Sequence, residues 1–266
     1  MTCAGGFLLA ARGHIHVGNF AATVAGTSLV IASACVVNNY IDRSIDSQMK
    51  RTKWRTKVTT QVSLTAGLLY AAGLASIGAV LLLWGANWLT AAVGATGMLF
   101  YVVLYSFMKR RSIHGTVVGC VSGATPLVAG YTAVTNHLNT ACILLFMLMV
   151  FWQLAHFYAI GLYRLEEYRS AKLPIMPVVK GAQTTKQLII LNILGFGATV
   201  SLLTLFHYAG YVFLVTMLAL TILWLQRGIK GYGVAGDAQW AKGMFRFSLI
   251  VISGLSLMLS LGSILA

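Results

Sequence analysis

Carboxylates are rare in this chain of 266 residues: it has five, and four of them lie in two pairs. The first pair is Asp42 and Asp46, and Asn38 extends it at a spacing of i, i+4, i+8. On one continuous helix these side chains form a stripe with about 6 Å between successive residues. Such oxygen ligands suit Mg²⁺, which binds few carboxylates and completes its octahedron with water and phosphate oxygens. A solvated helix end with Asp–Arg pairs is the alternative, and the spacing alone leaves both interpretations open.

A basic segment follows the first acidic pair directly, in the run Met49-Lys50-Arg51-Thr52-Lys53-Trp54-Arg55. In membrane proteins such a run commonly fixes the orientation of the neighbouring span. Beside carboxylates that bind a metal, Arg and Lys side chains also neutralise the remaining oxygens of a pyrophosphate. The candidate diphosphate ligands are therefore Arg43, Lys50, Arg51, Lys53 and Arg55. The chain has no Walker A sequence, so a nucleotide-hydrolysing P-loop is not indicated.

The second cluster combines aromatic, amide and imidazole side chains with the second acidic pair. It comprises FWQLAHF at residues 151–157 and YRLEEY at residues 163–168. Glu167 or Glu166 supplies either the facing carboxylate for a second metal or a structural ion pair to a basic residue, and the spacing does not separate the two. His156 lies inside an apolar segment beside Trp152 and Gln153. It is either an interhelical hydrogen-bonding residue or a ligand of a haem iron or an acceptor substrate.

The elements that position these residues are membrane-spanning helices. Hydrophobic residues make up 58% of the chain and charged residues 9%, and the mean hydropathy is +0.82, which is typical of an integral membrane protein. Apolar stretches of roughly 20 residues can each cross about 30 Å of hydrocarbon as a helix. The pattern predicts an all-α, polytopic transmembrane helical bundle. Eight full spans are predicted, at residues 19–40, 61–84, 87–107, 115–135, 140–162, 187–207, 210–226 and 244–265.

One apolar segment, residues 3–11, is too short to span a bilayer. We interpret it as the end of a span whose beginning is missing, so that residues 1–11 are the remnant of a ninth helix. No stretch of soluble composition interrupts the spans. We therefore expect residues 1–266 to form a single integral membrane domain.

The charge distribution predicts the orientation of the bundle. The chain has 19 basic and 5 acidic residues, a formal net charge of +14. All basic residues except Arg12 lie in four connections, at residues 41–60, 108–114, 163–186 and 227–246. The positive-inside rule places these connections in the cytoplasm and the C-terminus outside, which explains the charge without a nucleic-acid partner. Because four spans separate the two acidic pairs, both pairs are expected to converge on one cytoplasmic cavity.

The motifs resemble a known family. NNYIDRSID at residues 38–46, followed by MKRTKWR at residues 49–55, is similar to the first signature of the UbiA-type intramembrane prenyltransferases. The segments GCVSGATPLVAGY, FWQLAHFYAIGLYRLEEY and LPIMPVVKG resemble, more narrowly, the branch of that family whose acceptor is haem. The resemblance runs in order over nearly the whole chain.

This resemblance implies a UbiA-like fold of nine helices around a cavity that opens to the cytoplasm. It implies an enzyme that transfers a farnesyl group from farnesyl diphosphate to a vinyl group of haem b, with Mg²⁺, giving haem O for haem A biosynthesis. Carried over by motif, Asn38, Asp42 and Asp46 are the catalytic and metal-binding residues, and Glu166 and Glu167 form the second acidic motif. Glu167 is expected to be a further metal ligand. The acceptor-binding residues are expected to be Trp152, Gln153, His156, Arg164 and Tyr168.

Two alternatives remain at this point. One is a prenyltransferase of the same family acting on an aromatic quinone precursor such as 4-hydroxybenzoate. The other is a non-enzymatic haem-handling or transport protein of the membrane. The expected partners are farnesyl diphosphate, haem b, the lipid bilayer and a haem A synthase. Because no Arg-rich transit segment precedes the first span, a bacterial inner membrane is favoured over that of an organelle.

Overall fold

The computed structural model describes residues 1–234 and 236–262, and all regular secondary structure in those residues is helical. Eight helices are long and apolar enough to cross a membrane, which confirms the predicted all-α bundle and its spans. Residues 263–265 of the last predicted span lie outside the described residues. The helices are α1 (Thr2–Ala11), α2 (Val17–Ile41), α3 (Leu64–Gly85), α4 (Trp88–Met108), α5 (Gly115–Thr135), α6 (Thr140–Tyr163), α7 (Gly181–Leu205), α8 (Tyr211–Lys230) and α9 (Asp237–Leu261).

Side-chain caps determine where three of these spans begin. Ser63 accepts a hydrogen bond from the Ala66 amide at 3.2 Å before α3, and Asn87 accepts one from the Thr90 amide at 2.8 Å before α4. Asn139 caps α6 in the same way. Each such cap contributes about 1 kcal/mol and satisfies an amide that the helix itself cannot. The caps also explain why the observed starts fall within a few residues of the predicted ones.

Short helices occupy the basic connections. Arg43–Asp46 and Arg55–Gln61 lie in the first connection, and Leu165–Ser170 and Met176–Val179 lie in the third. Contacts between the four basic connections place these connections at one end of the bundle. Lys109 pairs with Asp42, and Lys186 pairs with Asp237 at 2.6 Å. Met49 packs with Leu173 in a small apolar cluster. The basic residues of the four connections therefore lie at one end of the bundle, as the sequence predicts.

The N-terminal helix α1 is packed inside the bundle against α5 and α9. Its approach to α5 is close because glycines face the neighbouring backbone on both sides. A Cβ atom on Gly6 would lie 2.1 Å from the carbonyl oxygen of Leu127, and one on Gly130 would lie 1.9 Å from that of Cys3. The ten residues of α1 thus form part of the bundle. Its interpretation as the remnant of a ninth span stays a prediction, as does the single domain over residues 1–266.

We expect Gly130→Ala to lower the stability of the bundle, because the added methyl group collides with the backbone of α1. Overpacking of this kind costs about 1–3 kcal/mol. The measurement is thermal unfolding of the purified protein in detergent. Gly73→Ala is the matched control, since a Cβ atom there meets nothing within 4 Å and Ala favours a helix over Gly. If Gly130→Ala and Gly73→Ala unfold at the same temperature, the close approach of α1 and α5 is contradicted.

Candidate active site

The predicted stripe of Asn38, Asp42 and Asp46 is present, although the helix that carries it is broken. Helix α2 ends at Ile41, and Asp42 has φ −89° and ψ 0° before the short helix Arg43–Asp46. Hydrogen bonds of the i to i+4 type nevertheless continue across the break, from the Asp42 amide to the Asn38 carbonyl and from the Asp46 amide to the Asp42 carbonyl, both at 2.8 Å. The Asn38 amide donates to Asp42 Oδ2 at 2.9 Å. The three side chains therefore stay together.

Lys109 is a site residue that the sequence analysis treated only as part of a basic connection. Its ammonium group donates to Asn38 Oδ1 at 3.0 Å and to Asp42 Oδ2. Ser106 also donates to Asn38 Oδ1, at 3.3 Å. Burial lowers the pKa of Lys109, while the hydrogen bond to Asp42 acts in the opposite direction. Asp42 thus has a buried cation on one of its oxygens.

A π-helical turn brings Lys109 to this position. Residues Phe100–Tyr105 of α4 are π-helical, which changes the register of the residues that follow. Tyr101 and Tyr105 stack with their ring centroids 5.6 Å apart, and the Lys109 ammonium lies 4.9 Å from the Tyr105 ring centroid. The spacing of these three residues, i, i+4, i+8, repeats that of Asn38, Asp42 and Asp46. It was the signal in the sequence that could have identified Lys109.

The segment with the second acidic pair contacts the segment with the first. Ile45 and Met49 pack in one apolar cluster with Tyr168 and Leu173. The guanidinium group of Arg51 lies beside the Tyr168 hydroxyl, but burial outweighs it and raises the pKa of that phenol. The two motifs therefore meet at one end of the bundle, as the parity of the spans predicts.

The two glutamates have different surroundings. Glu167 is 22% exposed and pairs with Arg164 at 2.7 Å. Glu166 is 79% exposed and pairs with Arg169 at 2.6 Å. An exposed pair of this kind contributes little, because solvent screens it. Glu167 is thus the better-placed member of the second acidic motif, and its role as a metal ligand stays a prediction.

Three buried carboxylate oxygens lack a hydrogen-bond partner in the described residues: Asp42 Oδ1, Asp46 Oδ2 and Glu167 Oε2. Arg110 lies 3.6 Å from Asp42 Oδ1, too far for a hydrogen bond. Asp46 is 5% exposed and has no ion pair with any described residue. A buried carboxylate oxygen without a hydrogen-bond partner is costly, and a bound cation would compensate for it. The donor set therefore fits a metal ion.

Asp42 and Asp46 are the two carboxylates of the stripe, and the amide of Asn38 lies beside Asp42. Within residues 1–234 and 236–262, no three His, Cys, Asp or Glu side chains lie close enough together to hold one ion. A site with only one or two carboxylates leaves several coordination positions free. Mg²⁺ prefers this arrangement, because it retains waters and binds substrate phosphates at the remaining positions.

Two cavities lie near the stripe, although Asn38, Asp42 and Asp46 line neither of them. The first, of about 200 Å³, lies between α2, α4 and α5, and its wall is mainly apolar. The second, of about 240 Å³, lies between α4, α5, α6 and the third connection. Residues of the first include Val30, Cys35, Gly97, Tyr101 and Pro126. Residues of the second include Tyr101, Tyr105, Gly119, Tyr158, Tyr168 and Pro177. Tyr101 lines both cavities. An extended apolar ligand in the first cavity and a flat ring ligand in the second would therefore meet beside Tyr101.

The basic candidates divide into two groups. Arg51 lies beside Tyr168, and the half-buried Arg55 interacts electrostatically with Cys35 and Tyr101. These two guanidinium groups are therefore close to the cavities. Arg51 is exposed to solvent, as are the other three candidates, Arg43, Lys50 and Lys53. The assignment of all five as diphosphate ligands stays a prediction.

The predicted acceptor residues face different directions. His156 Nδ1 and Ser248 Oγ are 2.6 Å apart, and Trp152 Nε1 donates to the Ser248 carbonyl at 2.8 Å. His156 and Trp152 stack with centroids 4.7 Å apart, and both face α9. Neither lines the two cavities beside the stripe. This geometry is that of an interhelical hydrogen-bonding residue, which was one of the two interpretations of His156.

Gln153 faces the opposite side of the same helix. Its amide nitrogen donates to the carbonyl oxygens of Cys120 at 3.2 Å and Met149 at 3.1 Å. Its Oε1 lies against Gly123, where a Cβ atom would be only 1.9 Å away, and Gly123 lines the first cavity. Tyr168 lines the second cavity, and Arg164 pairs with Glu167. Acceptor binding by these residues stays a prediction.

A helical bundle with two acidic motifs that meet at one end is the arrangement of an intramembrane prenyltransferase. The family model described as UbiA prenyltransferase family matches residues 1–250, and the chain belongs to this family. A relative from Protochlamydia amoebophila (strain UWE25), named protoheme IX farnesyltransferase, is 42% identical over 257 residues, covering 97% of this chain and 91% of its own. A protein of the same name from Enterobacter sp. (strain 638) is 45% identical over 257 residues, covering 96% and 87%.

Solved structures support the fold. A digeranylgeranylglyceryl phosphate synthase superposes with a TM-score of 0.82 at 16% identity, over 100% of this chain and 92% of its own. A UbiA homologue from Archaeoglobus fulgidus, bound to GPP and Mg²⁺, superposes with a TM-score of 0.70 at 13% identity, over 97% and 96%. At these identities the likeness concerns the fold.

Proposed function

We propose that this protein transfers the farnesyl group of farnesyl diphosphate to a vinyl group of haem b and so forms haem O. The observation that carries the chemistry is the set of unpartnered, buried carboxylate oxygens beside an apolar cavity. The choice of haem b as acceptor rests on relatives that are 42% and 45% identical over almost the full chain and are named protoheme IX farnesyltransferases.

The residues of the first motif would bind the diphosphate end of the donor. Asp42 and Asp46 would hold Mg²⁺, with Asn38 beside them, and Glu167 would supply the facing carboxylate for a second metal. The bound ions would supply positive charge for the leaving diphosphate. Lys109 fixes Asp42 through Oδ2, which leaves Oδ1 free to act as a ligand. Arg51 and Arg55 add positive charge close to the same cavities. Preorganised charge at the position where negative charge develops is the largest catalytic contribution in many enzymes.

The cavities account for the remaining steps. The apolar first cavity binds the isoprenoid chain and excludes water from the carbon at which the C–O bond breaks. The electron pair of that bond leaves with the diphosphate. The haem vinyl group, bound on the side of the second cavity, then attacks the allylic carbon. Water adds to the resulting cation and releases a proton, which leaves a hydroxyethylfarnesyl substituent.

The location of the enzyme follows from the same proposal. We infer a bacterial inner membrane, with the basic connections and the active site facing the cytoplasm and the C-terminus facing outside. The unequal charge of the two faces supports this orientation. Haem O is then released on the membrane for a haem A synthase, which is the proposed partner in the reaction sequence.

The test is an assay on the purified full chain with haem b, farnesyl diphosphate and Mg²⁺, with extracted pigments analysed by chromatography and mass spectrometry. We expect haem O, and we expect EDTA to abolish it, because the unpaired carboxylates then lack their cation. Product from 4-hydroxybenzoate but not from haem b would select the quinone-precursor alternative. Haem transport across vesicles without any prenylated product would refute the proposed function.

A further inference from the structure

A third cavity lies at the end of the bundle opposite the candidate active site. Its volume is about 530 Å³, more than twice that of either cavity beside the acidic stripe, at about 200 and 240 Å³. It is formed by the ends of α1, α7 and α9 and the start of α8. Its lining includes Leu9, Arg12, Thr204, Tyr208, Tyr211 and Val212. The proposed farnesyl transfer uses none of these residues.

Arg12 gives this cavity a positive charge that no acidic side chain balances. It is the one basic residue of the sequence outside the four basic connections. All five acidic residues lie at the other end of the bundle, in or beside those connections. Within the described residues its guanidinium group makes a single hydrogen bond, to the His207 carbonyl at 3.3 Å. Since guanidinium has five N–H donors, most of them remain available to a ligand.

Thr204 adds an unsatisfied hydroxyl to the same cavity. The residue is 8% exposed, and its Oγ1 has no hydrogen-bond partner in the described part of the chain. Other hydroxyls of α7 do not share this feature: Thr199 donates to the Gly195 carbonyl at 2.8 Å, and Ser201 donates to the Gly197 carbonyl at 3.1 Å. Because a buried, unpaired hydroxyl is unfavourable, Thr204 points to an oxygen-bearing ligand.

We propose that this cavity binds the phosphate headgroup of an anionic membrane lipid. It lies at the ends of the spans, where lipid headgroups meet the protein. The guanidinium fork of Arg12 matches phosphate oxygens, and Thr204 contributes a hydroxyl donor without a partner to the lining. Tyr208 and Tyr211 are aromatic residues of the type enriched at this level of the membrane. Leu9 supplies an apolar wall for the glycerol and upper acyl carbons.

The test uses the full chain in detergent and native mass spectrometry. The probes are phosphatidylglycerol and phosphatidylcholine with identical acyl chains. We expect wild-type protein to retain phosphatidylglycerol preferentially, and Arg12→Gln to weaken that binding roughly tenfold, as loss of one charge-assisted contact predicts. Thr204→Val should weaken it by a smaller factor. Arg12→Lys, which keeps the charge but loses the fork, should weaken it by less than Arg12→Gln but measurably, and it keeps the test decisive where Arg12→Gln is poorly folded.

Arg227→Gln is the matched control. Arg227 also donates to a single backbone carbonyl, that of Leu223 at 3.1 Å, but it lies at the opposite end of the bundle. Equal losses in Arg12→Gln and Arg227→Gln, or no preference for phosphatidylglycerol in wild type, would overturn the site. Displacement of the lipid by inorganic phosphate alone would overturn the lipid as its occupant. Wild-type binding by Thr204→Val would refute the role of that hydroxyl.

Discussion

Asp46→Asn is expected to reduce farnesyl transfer by at least about 100-fold while leaving the metal-free protein as stable as wild type or more stable. The reason is the unusual position of this carboxylate. It is 5% exposed, one of its oxygens has no hydrogen-bond partner, and no described residue forms an ion pair with it. A neutral amide of the same shape removes a buried negative charge, so the metal-free protein should lose no stability.

Two measurements on the same preparation test this prediction. The first is haem O formation with Mg²⁺. The second is the thermal unfolding temperature with and without Mg²⁺, because an ion that binds only the folded protein stabilises it. Wild type should gain stability from Mg²⁺, and Asp46→Asn should not. Retained turnover, or an unchanged response to Mg²⁺, would show that Asp46 does not bind the metal.

Asp237→Asn is the chemically matched control, and its expected effect on stability has the opposite sign. Asp237 pairs at 2.6 Å with Lys186, whose side chain is 7% exposed and which also donates to the Gly231 carbonyl at 2.7 Å. Loss of the carboxylate leaves a buried ammonium without its partner. We expect a loss of about 2 kcal/mol, less than for a fully buried pair because Asp237 is 39% exposed. Turnover per folded molecule should stay near that of wild type.

The architecture was predictable because it depends on local properties of the chain. The apolar length of each segment sets the spans, and the number of spans between Asp42 and Glu167 decides that both emerge at the same end. The choice between neighbouring candidate residues in the site depends instead on packing. The sequence could not separate Glu166 from Glu167, because only the contacts around the short helix Leu165–Ser170 leave one exposed and the other half-buried.

The orientation of helix α6 shows a second limit of prediction from the sequence. Trp152, Gln153 and His156 are close in sequence and were expected to contact one acceptor. On a helix, however, residues four apart share a face, whereas a neighbouring residue is rotated by about 100°. Trp152 and His156 therefore contact Ser248, while Gln153 contacts the helix that carries Gly123. Which face meets which neighbour is decided by the whole bundle.

The sequence did not identify Lys109 as a site residue, because its contact with Asp42 depends on how two helices pack. Replacement of Lys109 is expected to have a large effect. Lys109→Met is expected to lower turnover by about 100-fold, since the ammonium group both holds Asp42 in position and supplies charge near the diphosphate. The loss arises because Asp42 Oδ2 and Asn38 Oδ1 lose their shared donor. The freed carboxylate can rotate, so Oδ1 is no longer fixed for the metal.

The pH profile separates this role from a purely structural one. Burial lowers the pKa of Lys109 below the ordinary value of 10.5. Turnover should therefore decline as the pH rises, with a midpoint below 10.5, because the ammonium group loses its proton. The residual activity of Lys109→Met should not show this decline. Arg111→Met is the control, because Arg111 lies over the Phe107 ring, 3.8 Å from its centroid, and has no ion pair with any described carboxylate. If Lys109→Met lowers only the unfolding temperature and keeps wild-type turnover and pH dependence, the ammonium serves packing alone.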